Sequence, residues 1–276
     1  WNLQDAYDYT RGGNWPNAAN PTPSGLIAGV GNNNSYTNVI EFIVIATTGN
    51  STDFGDRTVA TQRLSSLGSS TRGLFSGGQA AANLDTIDFV TIASTGDATD
   101  FGNTSGTNQF GVGLSNNVRG VFALGLGGAN GSTNLDVIEY VTIANTGNTT
   151  DFGNLTEAKG YITGCASTTR GLIAGGYSDA NLDVIEYITI ANTGNASDFG
   201  DLSAAKYSAS SCASNTRGLF AGGYTSGLID VIEYVTIANT GNVTDFGNLI
   251  AADQRMSSVG SNVRAVFAGG NSSATM

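Results

Sequence analysis

Arg170-Gly171-Leu172-Ile173-Ala174-Gly175-Gly176 is a short apolar run closed by a glycine pair. It is followed by Asp183-Val184-Ile185-Glu186-Tyr187-Ile188-Thr189-Ile190, then Asn192-Thr193-Gly194-Asn195, then Asp198-Phe199-Gly200-Asp201-Leu202. β-Branched and aromatic residues fill the second stretch, which predicts a strand. Asn and Gly accept positive φ at little cost, so the third is a turn. Asp198–Leu202 reads as another short strand, and Ala204 to Cys212 as a weaker fourth. The stretch recurs. Asp-Phe-Gly places its Phe at Phe54, Phe101, Phe152, Phe199 and Phe246, in steps of 47, 51, 47 and 47. The arginines Arg72, Arg119, Arg170, Arg217 and Arg264 advance by the same steps, always 18 residues beyond the Phe. A four-stranded unit repeated about every 47 residues predicts an all-β propeller of four-stranded antiparallel blades. Helical solenoids would need long segments of period 3.6, which are missing.

Composition agrees. Glycine supplies 39 of 276 residues and proline 3, a balance that suits many tight turns. With 40% hydrophobic residues the chain can bury a sizeable core. Eleven basic against 22 acidic side chains leave a net charge of −11, which disfavours nucleic acid and anionic membranes as partners. No apolar stretch is long enough for a transmembrane helix. The N-terminus, Trp1-Asn2-Leu3-Gln4-Asp5, has neither Met nor the pattern of a signal peptide, so the chain is expected to be a processed or partial piece. Histidine is absent, which removes the Ser-His-Asp triad, the Cys-His dyad and most zinc or copper sites. No cofactor and no metal are expected, and no enzymatic activity.

Glycine-pair strands begin near Gly25, Gly73, Gly120, Gly171, Gly218 and Ala265, which makes six. The expected architecture is one domain, 1–276, of about six blades. Its last blade would combine residues 251–276 with an outer strand from Trp1-Asn2-Leu3. A window cut from a longer array stays open as the competing reading.

An apolar strand ending in Gly-Gly, a Tyr-bearing strand and an aromatic before Gly-Asn-Leu together resemble the kelch repeat, over nearly the whole chain. Kelch repeats usually carry Trp at the last aromatic position, whereas this chain carries Phe in five copies. The copper ligands of the kelch-type galactose oxidase include histidines, so its chemistry does not carry over. The Ile-Ala-Asn-Thr-Gly-Asn stretches are similar to those of kelch-like structural proteins of marine tailed phages of the cyanophage type. That resemblance implies a non-enzymatic virion protein, a tail fibre or capsid appendage at the virion surface or outside the cell. Its partners would be neighbouring virion proteins or host-surface glycans, with homo-oligomerisation left open. The alternative is a kelch-type protein–protein interaction adaptor, although such adaptors present arginine-lined faces and the basic residues outside the repeat are few: Arg11, Arg57, Arg63, Lys159, Lys206 and Arg255.

Individual positions carry further expectations. Cys165 and Cys212 align with Leu67, Leu114 and Val259, so they are read as small buried hydrophobes, unbridged. The recurrent arginines are expected to pair with the recurrent acids Glu41, Asp88, Glu139, Glu186 and Glu233, or to bind carbonyls at blade junctions. The five Phe residues are expected at equivalent buried sites. Segments such as Thr240–Asp245 lack calcium-loop spacing and are read as Asx turns. The loops after each glycine pair vary most between copies, and they share a face with the crossover between blades. Variable loops on a rigid scaffold are where binding resides. Tyr36, Tyr177 and Tyr224 are the candidates for stacking on a sugar, with Asn130 and Asn271 as hydrogen-bonding partners.

Overall fold

The computed structural model describes residues 24–29 and 36–272, and among them every regular element is a strand. The proposed closing strand Trp1–Leu3 and the loop Asn32–Ser35 lie outside the described residues. The first unit is β1 (Ser24–Ala28), β2 (Thr37–Val44) and β3 (Thr52–Thr61). The second is β4 (Ser65–Gly68), β5 (Arg72–Ser76), β6 (Leu84–Thr91) and β7 (Thr99–Gln109). The third is β8 (Val112–Ser115), β9 (Arg119–Ala123), β10 (Leu126–Gly127), β11 (Thr133–Thr142) and β12 (Thr150–Lys159). The fourth comprises β13 (Thr163–Ala166), β14 (Arg170–Ala174), β15 (Val184–Thr189) and β16 (Ser197–Asp201). The fifth comprises β17 (Ser210–Ala213), β18 (Arg217–Ala221), β19 (Val231–Thr236) and β20 (Thr244–Asn248), and a hairpin β21 (Ser257–Gly260) and β22 (Ala265–Ala268) follows.

Within each unit the strands pair antiparallel in chain order, as the repeat predicts. The third unit departs in one respect. Its four extra residues, the source of the single 51-residue step, make room for β10, which pairs with β7 on one side and β11 on the other. The second and third units are thereby hydrogen-bonded into one continuous sheet.

The leading strands stand next to one another in series: β4 by β8, β8 by β13, β13 by β17, and β17 by β21. The last hairpin then meets β1, and Arg264 Nη1 donates to Ile45 O at 3.1 Å, so the series returns on itself. Glycine after four of the five recurrent arginines, with Ala265 after Arg264, makes this packing possible. A Cβ on Gly171 would come within 2.8 Å of Leu114 Cδ1, and one on Gly218 within 2.7 Å of Cys165 Sγ. The cysteines thus occupy the apolar inner slot, buried and unbridged. Burial pushes the Cys165 thiol up, and the Cys212 thiol from 9.0 to about 12.

The four seams between the first five units are also clasped at their outer ends. Gly147 N donates to Phe101 O, Gly194 N to Phe152 O and Gly241 N to Phe199 O, each at 2.7 Å. The turn of one unit therefore lies on the Phe strand of the unit before it. At Gly153, φ is 146° and a Cβ would sit 2.4 Å from Gly194 O, so only glycine fits beneath the turn. The turn asparagines reach across the seam and do not close Asx turns of their own. Asn148, Asn195 and Asn242 Oδ1 accept from the backbone N–H of Asn103, Asn154 and Asp201, which corrects the local-turn reading.

The recurrent charges separate into two sets. Arg72, Arg119 and Arg170 donate to the carbonyls of Ile143, Ile190 and Ile237 in the following unit, and stack over Phe89, Tyr140 and Tyr187. Of the two roles expected for them, the carbonyl contact is the one observed. The acids turn instead to the preceding unit. Asp88 pairs with Arg57 at 3.0 Å, Glu186 with Lys159 at 2.7 Å, and Glu233 with Lys206, all buried. Glu139 has no such lysine, the position equivalent to Lys159 and Lys206 being Asn108, and accepts from Ser105 N and Thr149 Oγ1.

One expectation fails. Phe54, Phe101, Phe152 and Phe199 are buried, but Phe246 is 53% exposed. Its ring still meets Tyr234 edge-on at 6.2 Å, as the others meet their partners. What it lacks among the described residues is the turn of a following unit to cover it.

Candidate binding site at the loop end

The crossover from each fourth strand to the next leading strand must reverse within a few residues, and it does so through one left-handed residue. These are Arg63, Phe110, Tyr161, Ser208 and Arg255, with φ between 55° and 63°. None is Gly, Asn or Asp, the types that take this conformation most cheaply. Non-glycine residues held there cost free energy and recur at functional sites. The five stand one repeat apart, and all five line a single depression of about 900 Å³. Asn271 and Ser272, from the loop after the Gly269–Gly270 pair, line it too, so the two kinds of loop do share one face.

Aromatic rings run outward from this depression. Phe110 and Tyr161 lie 4.3 Å apart by ring centroids, Tyr161 and Tyr207 5.5 Å, and Tyr207 and Tyr224 5.4 Å. Tyr177 meets Tyr207 edge-on at 5.9 Å. Pairing of backbone Tyr207 with Tyr224, and of Gly160 with Tyr177, ties the crossovers to the variable loops. Burial, then the neighbouring Tyr224, raises the Tyr207 hydroxyl above its ordinary pKa, so it stays a protonated donor.

The depression is locally positive. Arg63 stacks over Phe110 at 4.8 Å and Arg255 over the same ring at 5.3 Å. Arg63 Nη1 donates to Gln79 Oε1 at 2.8 Å. Burial first, and the like charge of Arg255 second, pull its pKa down, while Tyr161 and Tyr36 oppose that shift. Among the described residues the ion pairs are those of Arg57, Lys159 and Lys206, and no acidic side chain lines the depression. Ser208 is 7% exposed, and its buried Oγ has no hydrogen-bond partner.

The expected site residues fall into three groups. Tyr177 and Tyr224 join the aromatic track. Asn271 lines the depression, its N–H donating to Gln254 O, and Tyr36 is exposed near Arg63. Asn130 is exposed on the turn after β10 and does not line the depression. Arg63, Phe110, Tyr161, Tyr207 and Arg255 were not anticipated. A signal existed, since 63, 110, 161, 208 and 255 keep the repeat spacing while their chemistry changes from copy to copy. No cluster of three or more His, Cys, Asp or Glu residues able to hold a metal occurs among the described residues.

No protein-family model matches this chain, and no curated protein matches it. Among solved structures it is similar to that of YjhT, with a TM-score of 0.69 over 86% of this chain and 85% of the other. The fold is propeller-like. At 9% identity the likeness extends to the fold alone.

Proposed function

We propose that the chain is a six-bladed, kelch-type propeller that serves as a non-enzymatic binding module and recognises glycan at its loop end. The observation that carries this reading is the track of rings from Phe110 through Tyr161 and Tyr207 to Tyr177 and Tyr224. Tyrosine offers a flat apolar face for a sugar ring and a hydroxyl satisfied by water or a sugar hydroxyl. The rings of the track are half-buried or exposed, which suits a chain of sugars laid across them. The chain has no histidine, no carboxylate lines the depression among the described residues to act as general base, and both thiols are buried elsewhere with raised pKa. Six glycine-pair strands and the contact of the last hairpin with β1 support the count of six blades. A place on a virion surface, with host glycan as ligand, follows from the phage resemblance. There, many copies would multiply a modest affinity.

The test is a glycan array and host-cell attachment assay with the wild type and Tyr161→Ser/Tyr207→Ser. The expected result is glycan binding by the wild type and at least a tenfold loss in the variant with the fold intact. Absence of glycan binding by the wild type, or full binding by the variant, would overturn the reading.

A further inference from the structure

We infer that the inner end of the aromatic track is an anion site, and that the glycan it takes carries one carboxylate, an acidic sugar seated between Arg63 and Arg255. The inference rests on the glycan reading above and adds the charge of the ligand. Two guanidinium groups flank the single ring of Phe110. Like charges so placed repel, yet the one carboxylate found beside the depression, Asp253 against Gly270, pairs with neither arginine among the described residues. Arg63 is held by the neutral side-chain oxygen of Gln79, which fixes the guanidinium without neutralising it. Ser208 adds an unpartnered buried hydroxyl to the same wall, next in space to Arg255, whose N–H donates to Ser208 O at 2.9 Å. Both arginines and Ser208 sit on left-handed backbone, so the fold sustains strain to hold these groups at the depression.

The planar fork of arginine matches a carboxylate with two parallel hydrogen bonds, and such charge-assisted bonds are roughly twice as strong as neutral ones. A ring beside the carboxylate would continue over Phe110 and Tyr161. The net charge of −11 argues for a single charge on the ligand, because a polyanion or a strongly acidic peptide would be repelled by the rest of the surface.

The experiment titrates the protein with three trisaccharides that differ only at one end: a terminal glucuronate, its methyl ester, and the neutral glucose counterpart. Arg255→Gln and Arg63→Gln are titrated alongside, with thermal unfolding as the control for fold. The acid is expected to bind at least tenfold more tightly than the ester or the neutral sugar, with the advantage shrinking as salt rises. Arg255, being exposed, can be replaced without emptying the core, and Arg255→Gln should bring the acid-to-ester ratio close to one. If all three sugars bind wild type equally, the anion site is overturned while the glycan reading stands. If no sugar binds, both fall. Arg255-dependent binding of a glutamate-rich peptide in place of the sugars would overturn the acidic sugar in favour of an acidic peptide.

Discussion

The seams in the middle of the molecule and the one that follows the fifth unit are built from the same residues, yet they differ in what they bury. Between the third and fourth units, Phe152 is 2% exposed beneath the Asn192–Asn195 turn, with Gly194 bonded to its carbonyl. Beyond the fifth unit, Phe246 stands in the same local sequence and the same strand but is 53% exposed. A repeat of this kind does not contain its own core. Each unit supplies the ring and borrows the lid, so stability resides in the seams as much as in the sheets.

The largest effect that can break this comparison lies in the buried ion pairs. Replacing Lys206 with Met leaves Glu233 charged and enclosed at the seam between the fourth and fifth units, and should cost about 3–5 kcal/mol in chemical denaturation. Adding Glu233→Leu should recover much of that loss, and no recovery would mean the pair is not the origin of the effect.

Phe152→Ala should likewise cost about 3–5 kcal/mol, as for an emptied core aromatic site. Phe246→Ala should cost well under half as much, since about half of the residue is already in solvent. Equal losses at the two positions would show that Phe246 is covered in solution, and would erase the difference between the seams.

Arginine provides a smaller contrast. Arg119→Met removes a bond to the Ile190 carbonyl and a stack on Tyr140, together about 1–2 kcal/mol. Arg217 keeps only the stack on Tyr234 among the contacts seen for its side chain, so Arg217→Met should cost less by about the share of the hydrogen bond.

The smallest effect concerns the thiols and needs alkaline pH. A folded pKa raised above the unfolded value means that the native state holds the proton more tightly. Cys212 therefore contributes stability below pH 9 that is lost progressively as pH rises toward about 12. At neutral pH both thiols should resist alkylation, with Cys212, next to the last hairpin, reacting before Cys165. Prompt labelling of Cys165 would contradict its place in the inner slot.

The register of the fold was legible because phenylalanine, arginine and glycine each do one mechanical job in every copy. Strand order, the inner slot of the cysteines and the face shared by the two loop types all followed from it. The exposure of Phe246 was not legible, because its burial depends on residues one unit away. Nor was the choice of partner for Glu186 and Glu233, since Lys159 and Lys206 lie 27 residues earlier and outside the repeating set. The central depression escaped notice for the opposite reason. Its five residues keep perfect spacing but share no chemistry, and only the left-handed backbone that unites them reveals the position as one element.

The small strand Leu126–Gly127 has a mechanical consequence. By bonding to both β7 and β11 it extends to a two-residue ladder the link that the other junctions make with one isolated bridge, Gln62 with Gln79, Gly160 with Tyr177 and Tyr207 with Tyr224. Under tension applied at the two ends of the chain, the other sheets can detach one at a time, each releasing a comparable length. The stapled pair from Ser65 to Lys159 has to shear its bridging hydrogen bonds before either half is free. Force spectroscopy should record it as a late, double-sized step of roughly 300 Å of released chain, at about 3.3–3.6 Å per residue.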